Sequence, residues 1–129
     1  CCVKDDWTEN SLRFYLGEKY VTLKQDANAT CPFKLGTDCE AGVGYYCLED
    51  VVFSKKYIHD ISATYPDGGV SYETYTNEAF LEFETLGALS AVAPGSTVTH
   101  KEVFSLYHKP CEFDPCNEAS IDEFISKLK

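Results

Sequence analysis

Short β-prone runs separated by turn chemistry succeed one another along nearly the whole of this chain. That rhythm points to antiparallel sheets before any single residue is considered. Residues 12–16 and 20–24 flank Gly17-Glu18, and Val43–Leu48 and 51–58 meet at Glu49-Asp50. Tyr65-Pro66-Asp67-Gly68-Gly69 is a strong turn, because Pro presets φ and Gly permits positive φ. It feeds a run at 70–76, a short turn at Asn77-Glu78, and a run at 79–86. Ala93-Pro94-Gly95-Ser96 then turns the chain into 97–107, the longest strand candidate, with Val98, His100, Glu102, Phe104 and Leu106 on one side. Residues 25–42 read as turn chemistry, rich in Asn, Asp, Pro, Gly and Cys.

Only the end changes period. Ser120-Ile121-Asp122-Glu123 fits a capping box, and Ile121, Phe124, Ile125 and Leu128 repeat at helical spacing. The pattern predicts a short amphipathic helix over 119–128 laid on the sheet, with Lys127 and Lys129 at the negative end of its dipole. With 129 residues and 44% hydrophobic content, the expectation is one mostly β domain, an antiparallel β-sandwich.

Charge narrows the partners. Eleven basic against 21 acidic side chains give a formal net charge of −10. Nucleic acid and anionic membrane surfaces reward Lys and Arg, so neither is expected. No apolar run approaches the roughly 20 residues of a bilayer span. With 14% aromatic residues the chain is too rich in rings for a solvating tail.

Seven cysteines (Cys1, Cys2, Cys31, Cys39, Cys47, Cys111 and Cys116) are dense for a reducing compartment, and they favour a secreted, disulfide-bonded protein. The odd count leaves one thiol free or paired with another chain, and spacing alone leaves the connectivity open. Asn28-Ala29-Thr30 is an N-glycosylation sequon in a polar loop. Cys1 and Cys2 read either as a lipidated N-terminus or as the point where a longer chain was cut. The absence of Met fits a processed product or a fragment.

The carboxylates offer the most chemistry. In residues 80–85, period 2 puts Phe80, Glu82 and Glu84 on one face of a strand and Leu81 and Phe83 on the other. Two acids so placed suit general-base work if the face lines a groove, and are ordinary surface acids if it is open to solvent. Glu73, with Tyr75 on its face, lies in the preceding run. Aromatic rings beside carboxylates hold sugars, but they also serve as packing residues. His100 and Glu102 share a strand face and form a candidate pair. The histidines, His59, His100 and His108, form neither HxH nor HExxH, no CxxC occurs, and neither a metal nor a cofactor is expected. No GxSxG or glycine-rich phosphate loop is present.

The order of motifs from Leu12 to Leu106 resembles a known family. Leu12-Arg13-Phe14-Tyr15-Leu16-Gly17, Pro32-Phe33-Lys34-Leu35-Gly36 and Tyr65-Pro66-Asp67-Gly68-Gly69 are followed by Glu73-Thr74-Tyr75-Thr76-Asn77. Phe80-Leu81-Glu82-Phe83-Glu84-Thr85-Leu86-Gly87 and then Pro94-Gly95 are the most specific pieces. The chain resembles the C-terminal part of galactose mutarotase-like proteins, in their aldose 1-epimerase-like branch. That resemblance implies a β-supersandwich with a sugar-binding groove, and a glutamate in a Glu-Thr motif as the base at the anomeric hydroxyl. The matching residue is Glu84; Glu82, Glu73, Tyr75 and His100, named from the carboxylates, rings and histidine read above, are the expected sugar contacts. The family's acid histidine lies in an earlier half that has no counterpart here, and its pattern lacks these cysteines. Three functions follow as expectations: a carbohydrate-binding module, the C-terminal part of an aldose epimerase, or an extracellular assembly protein. A missing N-terminal half or self-association would cover the open sheet edge.

Overall fold

The structure, a computed structural model, describes residues 13–129. It is mostly β, with three antiparallel sheets and one C-terminal helix. Strands β1 (Phe14–Leu16) and β2 (Val21–Leu23) form a hairpin. Strands β3 (Phe33–Thr37), β6 (Tyr72–Thr76) and β7 (Glu84–Thr85) make a second sheet in that order. Strands β4 (Val43–Leu48), β5 (Val51–Tyr57) and β8 (Glu102–His108) make the third. Helix α1 runs from Glu118 to Ser126. The readings that fall on Cys1, Cys2 and Leu12 lie outside the described residues.

The two three-stranded sheets pack face to face through aromatic side chains, as a sandwich requires. Phe83 sits edge-on to Phe53 (ring centroids 6.0 Å apart) and Tyr72 (5.2 Å), and lies 6.5 Å from Tyr46. Gly44 is what lets the sheets approach: a Cβ there would overlap the Tyr72 hydroxyl and come within 2.8 Å of the Phe83 ring. Lys55 Nζ reaches across to the Phe83 carbonyl at 2.8 Å and lies 3.3 Å from Glu102 Oε1. Beyond Phe83 the covering sheet ends, and Leu48, Phe104 and Leu106 of the β4–β5–β8 sheet stay exposed. Among the described residues, Val52, Tyr57, Tyr65, Ile121 and Phe124 are the buried apolar side chains.

Helix α1 is tied to the β1–β2 hairpin by its acidic face. Glu118 Oε1 accepts the Lys19 and Tyr20 amides at 2.7 and 3.2 Å, and Tyr20 Oη donates to Asp122 Oδ1 at 2.5 Å. Its apolar stripe meets Phe113, whose ring is 4.4 Å from that of Phe124.

Several boundaries differ from the sequence reading. The helix begins earlier, with Asn117 as its N-cap: the Asn117 side chain accepts from the Ala119 and Ser120 amides. Ser120 is inside the first turn, and its hydroxyl instead accepts from the Asp114 amide at 3.0 Å. Strand β3 emerges from a segment read as turns, because Phe33, Leu35 and Thr37 alternate inward against β6. The run at 79–86 pairs fully only at Glu84–Thr85, with one further bridge at Leu81. There the Thr74 hydroxyl takes the Glu82 carbonyl and Lys55 takes that of Phe83. The run at 97–107 is a strand only from Glu102, which pairs with Tyr57, the last residue of β5. Upstream of Glu102 no β5 residue remains to pair with, and residues 97–101 are exposed.

Candidate functional site

The β3–β6–β7 sheet turns one face toward the other sheet and one outward. Glu73 stands directly opposite Glu84 and Gly36, and Lys34 opposite Tyr75. Glu82, whose amide donates to the Tyr75 carbonyl at 2.6 Å, continues the same register. Alternation therefore places Lys34, Glu73, Tyr75, Glu82 and Glu84 together on the outward face. Four of the five expected sugar-site residues are among them.

Their environments differ. Glu73 is buried, at 5% exposure, and Lys34 Nζ lies 2.8 Å from its Oε2. Glu82 and Glu84 are exposed. The hydrogen bond to Glu73, together with the charges of Glu73, Asp67 and Glu84, holds the Lys34 ammonium above its ordinary pKa. Like charges opposed on a ladder repel, and the lysine offsets this. The Phe80 ring packs at 5.8 Å from Tyr75 and forms an aromatic border to the acidic face.

His100 is not part of this face. Its Nε2 is 2.8 Å from Oγ1 of Thr85, the neighbour of Glu84 that points the other way, and its ring packs 5.8 Å from Tyr57. Thr85 Oγ1 also donates to Glu102 Oε1, so His100 and Glu102 meet through Thr85. Burial pushes the Glu102 carboxyl up, but the bonds from Thr85 and Lys55 outweigh it and leave it below the ordinary value. Sequence reasoning missed Lys34, because its strand was hidden between Cys31-Pro32 and Gly36-Thr37-Asp38.

A second polar centre lies at the far end of β6. A cleft of about 370 Å³ opens between Asp38, His59, Tyr65 and the glycines Gly68 and Gly69. His59 Nε2 donates to Asp38 Oδ1 at 2.6 Å, and Ser71 Oγ donates to the same oxygen at 3.3 Å. The Tyr57 hydroxyl donates to Ser71 Oγ at 2.9 Å. Burial above all pushes the Tyr57 phenol up to about 12.

Among the described residues no group of three or more His, Cys, Asp or Glu side chains is placed to hold a metal ion. The five described cysteines carry free thiols. No described helix is long and apolar enough to cross a membrane. Asn28 is exposed in a turn, its amide donating to Asp26 Oδ1 at 2.8 Å. No protein-family model, curated protein or solved structure matches the chain.

Proposed function

We propose that this chain is a carbohydrate-binding β-sandwich related to the galactose mutarotase-like proteins and working outside the cell. The observation that carries the reading is the outward face of the β3–β6–β7 sheet. It gathers carboxylates at Glu73, Glu82 and Glu84, an ammonium at Lys34 and rings at Tyr75 and Phe80. Carboxylates and an ammonium supply acceptors and donors for sugar hydroxyls, and the rings supply an apolar wall for the C–H face of a pyranose. The resemblance of the run from Phe80 to Gly87 with Pro94-Gly95 to the mutarotase-like proteins supports the same use of the face. An exposed sequon at Asn28 supports an extracellular setting; the cysteines add nothing to it, because the five described ones carry free thiols where disulfides were expected.

Isothermal titration with D-galactose, D-glucose, lactose and cellobiose tests the reading. At least one of the four is expected to bind, with affinity reduced tenfold or more in Tyr75→Ala. Absence of binding by all four overturns it.

A second reading, an aldose epimerase seen in its C-terminal part, is favoured by the contrast between the two opposed acids. Glu73 is committed to Lys34, whereas Glu84 is exposed on the same face. Under that reading Glu84→Gln abolishes anomer interconversion measured by polarimetry while sugar binding survives. Unchanged mutarotation in the variant removes Glu84 from that role.

A further inference from the structure

The cleft at Asp38 and His59 is separate from the acidic face, and none of the functions above uses it. We propose that it is a second carbohydrate subsite, taking one pyranose ring through a pair of neighbouring hydroxyls on Asp38. The inference rests on the reading that the chain binds carbohydrate.

Four observations converge on that ligand. The first is an oriented acceptor. Asp38 is about half exposed (53%), yet one of its oxygens is fixed by His59, whose side chain is 4% exposed, and by the buried Ser71. A carboxylate accepts at both oxygens, so this arrangement turns remaining acceptor capacity toward the cleft. The second is a rigid lining: the His59 and Tyr65 rings, both nearly buried, stack on each other at 4.9 Å and 12° and border the cleft. The third is an unobstructed floor. Gly68 and Gly69 lie at φ 86° and 102°, and a Cβ on either would meet nothing within 4 Å. The fourth is size. About 370 Å³ is at the small end of the roughly 300–1,000 Å³ range of small-molecule sites, which suits one ring.

Other ligand classes fit less well. An anion would face the Asp38 charge. A purely apolar ligand would strip water from the carboxylate and return no hydrogen bond. A hard cation needs six or more oxygen ligands, and the cleft supplies one carboxylate. The cleft also adjoins the acidic face: Gly68 and Gly69 belong to the same turn as Asp67, whose charge acts on Lys34. Two subsites on either side of one turn suit a ligand longer than a monosaccharide.

Amide NMR titration of the full chain with the four sugars distinguishes the outcomes. The expected result is saturable shifts at Tyr65, Gly68 and Gly69, with apparent affinity lowered tenfold or more in Asp38→Asn. Shifts confined to Glu84 and Thr85 overturn the cleft proposal and leave the carbohydrate reading standing. Shifts at neither place with any sugar overturn both. The wild-type map is decisive even if Asp38→Asn fails to fold.

Discussion

Glu73 and Glu84 face each other across the β6–β7 ladder, and the ammonium of Lys34 lies 2.8 Å from Glu73. Removing that cation leaves a buried carboxylate with its like-charged neighbour opposite and its partner gone. Lys34→Met is therefore expected to lower the melting temperature. Glu73→Gln should recover part of the loss, since a neutral amide removes the repulsion. A double-mutant cycle in thermal unfolding reads the coupling, and additive effects would show that the lysine serves no such role.

Tyr72 provides a second test, of packing. Its hydroxyl is buried against Gly44 with no hydrogen-bond partner. An unsatisfied buried hydroxyl costs free energy that phenylalanine avoids at nearly the same shape. Tyr72→Phe is expected to stabilise the fold by about 1 kcal/mol. Urea denaturation with an unchanged m-value checks it; destabilisation would mean that the hydroxyl finds a partner.

The helix start separates two readings of the same residues. Asn117 accepts from two free amides of the first turn, whereas Ser120 is already helical. Asn117→Ala is expected to cost about 1 kcal/mol, in the usual range for an N-cap. Ser120→Ala should cost less, because it forfeits one exposed bond to the Asp114 amide. The reverse order in chemical denaturation would restore Ser120 as the cap.

What the sequence made legible was local. Period 2 and the Glu49-Asp50 turn identify β4 and β5 almost to the residue, and Glu82 and Glu84 fall on one face as alternation requires. The helix was legible from the spacing of Ile121 and Phe124, but its start was not, since Asn117 and Ser120 both carry capping side chains. What stayed hidden was pairing. Residues 97–101 have the composition of a strand, yet β5 ends at Tyr57 opposite Glu102 and provides no partner upstream. Lys34 joined the site only because β3 pairs with β6, a contact between residues some forty positions apart. His100 lies outside β8 and shares no strand face with Glu102; the two meet only through Thr85, on the side of the sheet away from Glu84.

Alkaline pH provides the last test. Burial holds the Tyr57 phenol up to about 12, and burial pushes Tyr72 upward as well. Both are expected near 10 in the unfolded chain. A group whose proton is held more tightly in the folded state stabilises fully below its unfolded pKa, and that contribution fades as pH rises through the folded value. Stability is thus expected to be insensitive to these two groups up to about pH 10 and to fall between about 10 and 12. Tyr57→Phe removes one titrating group, so the fall in that window should be shallower even though the variant loses its bond to Ser71 and begins less stable. Urea midpoints measured across the window decide it. An equally steep fall in Tyr57→Phe would mean that the buried phenol does not control alkaline unfolding.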